Sequence, residues 1–322
     1  MQKELLVVAL GGNAFLRHGE KRTFENQNKR IRNASRHLVD LIEEGYRLVI
    51  THGNGPQIGD TLLRHEAGEK MFKIPALPMD ICVAETQGAI GYMIQQALRS
   101  ELKRRRLNKV VVSILTRVII DKRDEELKNP TKPIGLFYSA GELRKIKQRH
   151  PRYAFAYDRA RGGWRRIVVS PNPKRIGIAE QSAIKLLVDS GCIAIACGGG
   201  GIPVVEEKGW RAIGIEAVVD KDLAGERLAT LIEADRLVIL TDVDAAYVDF
   251  GKSSQKKLHK ISASDAREYM SEGQFSAGSM EPKILAGIRF VENRGKSAVI
   301  CELSKVTEAL HGRSGTTILP SL

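Results

Sequence analysis

The sequence has little of what would indicate a membrane, a disulfide framework or a metal knot. No apolar run approaches the roughly 20 residues that a membrane-spanning helix needs, and the first residues lack the apolar core and cleavage site of a secretory signal. We therefore expect a cytoplasmic protein with no membrane contact. Only four cysteines occur, each among apolar neighbours and none in a C-x-x-C pair, so we expect reduced core residues. They are Cys82, Cys192, Cys197 and Cys301.

Common catalytic motifs are missing too. The sequence contains no G-x-S-x-G motif, and its seven histidines show no H-x-x-x-H or other metal-ligand spacing. These absences leave serine hydrolase and metallohydrolase chemistry without support.

The charge is unevenly distributed along the 322 residues. The net charge is +13, yet residues 99–175 hold 22 Lys and Arg against 7 Asp and Glu, so the rest of the chain is close to neutral. A basic segment that also contains Trp164 could bind nucleic acid through stacking and phosphate contacts. It could also steer small anionic substrates toward a cleft. We favour steering and keep nucleic-acid binding as a minor alternative.

Three glycine-rich turns each follow a short apolar run, at 11–12, 53–55 and 198–201. Such a run ending in glycine predicts a buried strand with a loop at its carboxyl end. Glycine lets the main chain approach a ligand closely, and backbone N–H groups before a helix bind anions. The first turn matches neither the Walker A motif nor G-x-G-x-x-G. Three such turns in one chain predict a phosphate site at the carboxyl edge of a parallel sheet.

Hydrophobic periodicity predicts strands that alternate with helices, which is typical of a mostly parallel sheet covered on both faces. The predicted strands are 4–10, 47–51, 109–115, 192–197, 236–241 and 297–301, with a hairpin near 204–219. The predicted helices are 23–44, 55–68, 84–104, 179–190, 222–234, 281–293 and 304–311. Residues 119–168 break this rhythm because they are polar, basic and rich in proline, glycine and aromatics. We predict that they form an inserted, protruding lid subdomain within one domain of 322 residues.

Charged residues at the predicted element ends are candidate ligand contacts. Asp222 is a candidate N-cap for helix 222–234, and Lys221 beside it could contact a phosphate. Asp242 follows strand 236–241 and could either bind a nucleoside or cap a turn. Lys283 lies near a helix N-terminus, where a cation opposes the helix dipole. A bound anion would compensate it; the alternative is a solvated lysine.

Seven motifs, in this order along the chain, resemble those of the carbamate kinases, which belong to the amino acid kinase superfamily. They are LGGNA at 10–14, THGNGPQ at 51–57, NPTKP at 129–133, GGGGIPV at 198–204, VDKDLA at 219–224, LTDV at 240–243 and AGSMEPK at 277–283. Superfamily relatives carry a lysine just before the first Gly-Gly, where this chain has the apolar residues 8–10. In carbamate kinases the lysine of the P-T-K-P segment supplies that cation, and Lys132 matches it. This departure favours carbamate kinase over acetylglutamate, aspartate or uridylate kinase.

The resemblance implies a three-layer αβα sandwich with an open, mostly parallel sheet, a protruding subdomain and a homodimer. It implies the reversible reaction ADP + carbamoyl phosphate ⇌ ATP + carbamate, with Mg²⁺ on the nucleotide and a place in arginine metabolism. The catalytic residues it implies are Lys132, Lys221, Lys283 and Asp222, with no direct protein ligand for the metal. The phosphate-binding residues it implies are Gly11, Gly12, Asn13, Gly53 and Asn54. The nucleotide-binding residues it implies are Asp220, Lys221, Asp242, Tyr247, Ala277, Met280 and Lys283.

The residues alone specify neither the phosphate acceptor nor which glycine turn binds which substrate. Another kinase of this superfamily, acting on a different small carboxylate or phosphate, remains an alternative because one sequence does not specify the acceptor. We expect the first two turns to hold carbamoyl phosphate. We expect the run 198–201 to lie on the nucleotide side and to allow close packing.

Overall fold

The structure is a computed structural model that describes residues 3–12, 15, 20–21, 23–151, 153–158, 162–171, 177–207, 211–293 and 295–321. Its centre is an eight-stranded sheet in which six neighbouring strands run parallel and two edge strands run the opposite way. The six parallel strands, in spatial order, are β16 (Ser297–Glu302), β12 (Arg236–Thr241), β1 (Leu5–Leu10), β2 (Arg47–His52), β9 (Ile193–Ile195) and β3 (Val111–Ser113). The edge strands are β17 (Thr316–Leu319), antiparallel to β16, and then β15 (Lys260–Ser262).

Helices cover both faces of this sheet, which explains why its central strands are continuous apolar runs. All six residues of β1 are buried, with Val7 packing into the core on one face and Val8 into the core on the other. One face carries α1 (Phe24–Glu43), α3 (Met79–Arg104) and α9 (Val306–Leu310); the other carries α5 (Gln181–Asp189), α6 (Lys221–Leu231), α7 (Ala263–Ser271) and α8 (Met280–Glu292). The predicted αβα sandwich is confirmed.

Two smaller sheets lie beyond the central one. The first contains β4 (Arg117–Ile120), β8 (Gly177–Ile178), β10 (Ile202–Glu206) and β11 (Ala212–Gly214), in the order β11-β10-β4-β8. Its antiparallel pair β10 and β11 forms the predicted hairpin. The second, here called the lid sheet, contains β5 (Lys132–Tyr138), β7 (Gly163–Val168) and β6 (Ala154–Asp158), with α4 (Ala140–Arg149) between β5 and β6. The lid sheet lies within the segment 119–168, whose status as an inserted, protruding lid subdomain stays a prediction.

Several element boundaries differ from the predicted ones. Helix α2 (Gly55–Phe72) runs past the predicted end at 68, and α3 begins five residues before the predicted start, with Pro78 in the N-cap position. The edge strands β15 and β17, helix α7 and the hairpin of β13 (Tyr247–Val248) with β14 (Lys256–Lys257) were not predicted. These strands have two to four residues, too short for a periodic pattern, and pairing with a partner strand forms them.

The four cysteines are all free thiols. Cys82, Cys197 and Cys301 are buried, as expected for core residues, whereas Cys192 is only half-buried. Among the described residues, no helix combines the length and the apolarity needed to cross a bilayer.

Candidate functional site

The carboxyl ends of four adjacent parallel strands form the floor of one cleft. In spatial order these are β12, β1, β2 and β9, and all three glycine turns follow strands of this group. The cleft has a volume of about 310 Å³. Its walls include the N-termini of α2, α6 and α8 and the first residue of the lid sheet, Lys132. We call it the charged cleft.

Three lysines and two aspartates from three distant segments meet in the charged cleft. Lys132 Nζ donates to Asp220 Oδ2 at 2.9 Å. Lys221 Nζ donates to both carboxylate oxygens of Asp222, each at 2.9 Å, and Lys283 Nζ donates to Asp222 Oδ2 at 2.7 Å. The structure therefore brings together all four residues for which we predicted a catalytic role, with Asp220 beside them.

Burial and charge oppose each other in this cluster. Burial favours the neutral form of Asp220, but attraction to Lys132 and Lys221 outweighs it and lowers the pKa of Asp220. Burial also disfavours the charged form of Lys221, yet attraction to Asp222 and Asp220 raises the pKa of Lys221. For Lys283, burial and then repulsion from Lys221 outweigh Asp222 and lower its pKa. Because the ammonium groups of Lys221 and Lys283 share one carboxylate, this part of the site can accept further negative charge, such as that of an incoming phosphate.

The predicted N-cap of α6 was wrong. The helix begins at Lys221, and Asp220 is its N-cap, because its Oδ1 accepts the Asp222 backbone N–H at 3.0 Å. Asp222 lies in the first helical turn, where a carboxylate suits the helix dipole, and its side chain turns to the two lysines. The unfavourable placement of Lys283 near the start of α8 is accordingly compensated within the protein by Asp222.

The first two glycine turns use their glycines in different ways. A Cβ on Gly11 would lie 2.6 Å from the Leu240 carbonyl oxygen, so close packing of β1 on β12 requires glycine there. Gly12 faces open space in the charged cleft. The Gly53 amide, which we expected to bind phosphate, instead donates to the Leu10 carbonyl at 3.2 Å.

The helix after the second turn offers alternative donors. First-turn amides of a helix have no acceptor within that helix, and Gly55 and Gln57 at the start of α2 line the charged cleft beside Asn54. These two residues were not predicted. Asn13, for which we expected a phosphate contact, lies outside the described residues.

The run 198–201 is built mainly for packing. A Cβ on any of its four glycines would lie within 2.3 Å of another atom: the His52 ring, the Asn54 amide, the Val219 carbonyl or the Val118 side chain. Three of the four also have positive φ. Gly199 lines the charged cleft, but none of the four lines the neighbouring pocket that follows β12.

Buried polar side chains that were not predicted hold the second and third turns together. Asn54 Nδ2 donates to Thr86 Oγ1 at 2.9 Å. Gln87 Nε2 donates to the Gly198 carbonyl at 2.9 Å, and Gln87 Oε1 accepts the Thr116 amide at 2.9 Å. The available sequence signal was a pair of adjacent polar residues on the inner face of α3, where apolar side chains are the norm.

We predict that Gly200→Ala destabilises the protein well beyond the cost of its backbone conformation. Gly200 has φ +91°, and an added Cβ would lie 2.2 Å from the Val219 carbonyl oxygen. Gly251 has φ +82° and open space around it, so Gly251→Ala is the matched control. We expect the control to cost about 1–2 kcal/mol of unfolding free energy and Gly200→Ala about 1–3 kcal/mol more. Equal losses in urea unfolding would contradict this steric account.

A second pocket adjoins the charged cleft and shares Thr241, Asp242 and Ser279 with it. It has a volume of about 180 Å³, and its lining is partly aromatic. We call it the aromatic pocket; its wall includes Asp242, Tyr247, Phe250, Phe275 and Met280. An apolar, partly aromatic wall beside a cationic cleft suits a nucleoside attached to phosphates.

Tyr247 and Ala277, which both have a predicted nucleotide role, differ in their surroundings. The Tyr247 hydroxyl donates to Asp244 Oδ1 at 2.7 Å, and Lys257 holds the other oxygen of that carboxylate at 2.6 Å, so the Tyr247 ring is held in place. Ala277 is exposed and is absent from the residues that line either pocket, so its role stays a prediction.

Part of the basic segment is structural. Arg166 is buried, lies over the Tyr153 ring at 3.4 Å from its centroid and pairs with Glu216 at 2.8 Å. Arg105 pairs with Glu101 and with two carboxylates of α1. These arginines are therefore committed to packing and ion pairs rather than presented to a nucleic acid.

Comparison with known proteins gives consistent results. The model of the amino acid kinase family matches residues 4–302. A carbamate kinase from Pyrococcus horikoshii is 48% identical over 98% of this chain and 99% of its own length. One from Lentilactobacillus hilgardii is 46% identical over 97% of this chain and 96% of its own. The solved structure of a carbamate kinase from Giardia lamblia bound to AMP-PNP superposes with a TM-score of 0.92, at 37% identity and 99% coverage of both chains.

Proposed function

Because the chain belongs to the carbamate kinase group of the amino acid kinase family, we propose that it transfers a phosphoryl group between carbamoyl phosphate and ADP, forming ATP and carbamate. The observation that carries the proposal is the charged cleft, where Lys132, Lys221 and Lys283 face two glycine turns. The adjoining aromatic pocket would take the nucleoside. A structural relative described as bound to AMP-PNP supports that assignment.

Phosphoryl transfer of this kind depends on positioning and charge neutralisation more than on covalent chemistry. Carbamate is already an anion at neutral pH, so its oxygen needs no general base. Lys132 and Lys221 would neutralise the transferring phosphoryl group, and Lys283 the nucleotide phosphates. Asp222 would hold Lys221 and Lys283 in position, and Asp220 would do the same for Lys132.

The carboxylates Asp220 and Asp222 of the charged cleft support a magnesium ion that is bound by the nucleotide phosphates rather than by a set of protein ligands. Both oxygens of Asp222 accept from lysines, and Asp220 uses one oxygen for Lys132 and the other for the Asp222 amide. Both oxygens of each of these two carboxylates therefore already have partners within the protein. Mg²⁺ bound to phosphate oxygens and water would supply further neutralisation of the phosphates.

A panel of substrates tests the acceptor. We expect ATP from ADP and carbamoyl phosphate, and negligible phosphorylation when ATP is mixed with acetylglutamate, aspartate, UMP or isopentenyl phosphate. Transfer to one of these four, with none from carbamoyl phosphate, would support the related-kinase alternative instead. The expected cytoplasmic location and link to arginine metabolism remain proposals.

We also propose that the protein is a homodimer. Large apolar side chains are exposed where α2 leads into α3, which supports an interface there. They are Met71, Phe72, Ile74, Leu77 and Ile81.

We predict that light scattering gives twice the chain mass of 35.6 kDa for the wild type and a monomer for Phe72→Asp combined with Ile74→Asp, because two charges in an apolar interface oppose association. Leu186→Asp, at an equally exposed leucine on α5, is the control and should stay dimeric. A wild-type monomer, or a dimer unaffected by the double change, would contradict this interface.

A further inference from the structure

Three side chains with different metal-ligating atoms converge between α2 and α3, outside the charged cleft. They are His65 of α2 and, one helical turn apart on α3, Cys82 and Glu85. One ligand atom from each lies within 4.8 Å of the others. His65 Nε2 and Glu85 Oε2 are already 3.0 Å apart.

The three side chains form a path from solvent to the interior. Glu85 is exposed, His65 is half-buried and Cys82 is fully buried. Among the described residues, the hydrogen-bond partner of the Cys82 thiol is the Leu77 carbonyl, at a long 3.7 Å. A cation that enters past Glu85 would therefore meet the His65 ring before the sulfur at the inner end.

We propose that His65, Cys82 and Glu85 bind a divalent transition metal, zinc above all, with water as a fourth ligand. Imidazole nitrogen, thiolate sulfur and carboxylate oxygen are ligands that tetrahedral Zn²⁺ accepts, whereas Mg²⁺ prefers oxygen ligands. On binding, the thiol S–H bond breaks, its proton leaves to solvent and a metal–sulfur bond forms. The thiolate and carboxylate then balance the two charges of the ion.

The geometry requires only a modest contraction. Ligand atoms on one tetrahedral zinc lie about 3.5 Å apart, as follows from zinc–sulfur and zinc–nitrogen bonds of about 2.3 and 2.0 Å. Even two ligand atoms 4.8 Å apart would therefore need to approach each other by only ~1 Å, which rotation of the side chains can supply.

Such a metal would join α2, which borders the charged cleft, to α3, which holds two of the glycine turns from behind. Helix α2 starts at the second glycine turn, and Glu85 directly precedes Thr86 and Gln87, which hold Asn54 and Gly198. The bound ion would therefore stabilise the scaffold behind the turns without contacting substrate. Its effect should appear as a metal-dependent rise in melting temperature.

Cobalt and zinc titrations of tag-free, chelator-treated protein test the site. We expect one Co²⁺ per chain, with the near-ultraviolet charge-transfer band of a cobalt–thiolate bond. Cys82→Ser should lose the band, and the half-buried cysteine variant Cys192→Ser, the matched control, should keep it. His65→Ala should weaken binding at least 10-fold, since even outer-shell losses cost roughly 10–100-fold.

Zinc gives a second readout that does not depend on spectroscopy. Zn²⁺ should raise the melting temperature of the wild type and of Cys192→Ser but not of Cys82→Ser or His65→Ala. A wild type without a thiolate band at saturating Co²⁺, or a band that survives in Cys82→Ser, would overturn the proposal. Neither result would bear on phosphoryl transfer, because none of these residues lines the charged cleft.

Discussion

Lys132→Ala is expected to lower kcat about 10²–10³-fold, the loss typical of removing one preorganised donor to a transition state. Lys132 begins the lid sheet and reaches into the charged cleft, where the chain lacks the lysine that relatives place before the first Gly-Gly. Lys132 is the lid-sheet residue that lines the charged cleft together with the first glycine turn. KM should change much less than kcat, because charge develops mainly in the transition state.

Folding of Lys132→Ala should be nearly unaffected. The Lys132 side chain is 34% exposed, and an ion pair of that exposure contributes about 0–1 kcal/mol. Lys128→Ala is the matched control, because Lys128 belongs to the same basic segment but is exposed and pairs only with Glu125 in the described part of the chain. Steady-state ATP formation should separate the two variants. Wild-type turnover in Lys132→Ala would remove this lysine from the mechanism.

Asp222→Asn is expected to impair both turnover and stability. The substitution keeps the shape of the side chain but removes the one negative charge that Lys221 and Lys283 share. Breaking a buried ion pair leaves its partner charges uncompensated and costs about 3–5 kcal/mol. Because the cleft admits water to Lys221, we expect the lower end, about 3 kcal/mol of unfolding free energy.

Turnover of Asp222→Asn should fall about 10²-fold or more, since two lysines lose their position relative to the phosphates. Urea unfolding and kcat measured on the same preparation check both effects. Glu292→Gln is the control, because its exposed pair with Arg267 is worth less than about 1 kcal/mol. A fully active, fully stable Asp222→Asn protein would show that Asp222 does not organise the lysines.

The parallel core could be predicted because its signals are local. A run such as the one in β1, apolar throughout and ended by Gly11, identifies a buried strand and its carboxyl end without any partner. The edge strands β15 and β17 could not be predicted in the same way. They contain three and four residues, and they form by pairing with strands that lie elsewhere along the chain.

The site was predictable to a different extent at each residue. Asp220, Lys221 and Asp222 are neighbours, so a strand-to-helix junction indicated them together, although which aspartate caps the helix depends on where α6 begins. Lys132 has no local signal: only family resemblance connected it to Gly11, 121 residues away.

The amide of Gly53 and the packing of the run 198–201 depend on neighbours that are far apart in sequence. The Gly53 amide is occupied by the Leu10 carbonyl, and a Cβ on Gly198 would meet the His52 ring. A single-sequence pattern identifies such glycines as special. It does not show whether a ligand or another part of the protein approaches them.

The most direct test of the central claim is ³¹P NMR of the wild-type protein with ADP, Mg²⁺ and carbamoyl phosphate. If the charged cleft transfers phosphoryl groups as proposed, the carbamoyl phosphate signal should fall while the γ-phosphate signal of ATP rises in equal amount. Lys132→Ala should slow both changes together, by about 10²–10³-fold. Loss of carbamoyl phosphate to inorganic phosphate at the uncatalysed rate, with no ATP formed, would contradict the account.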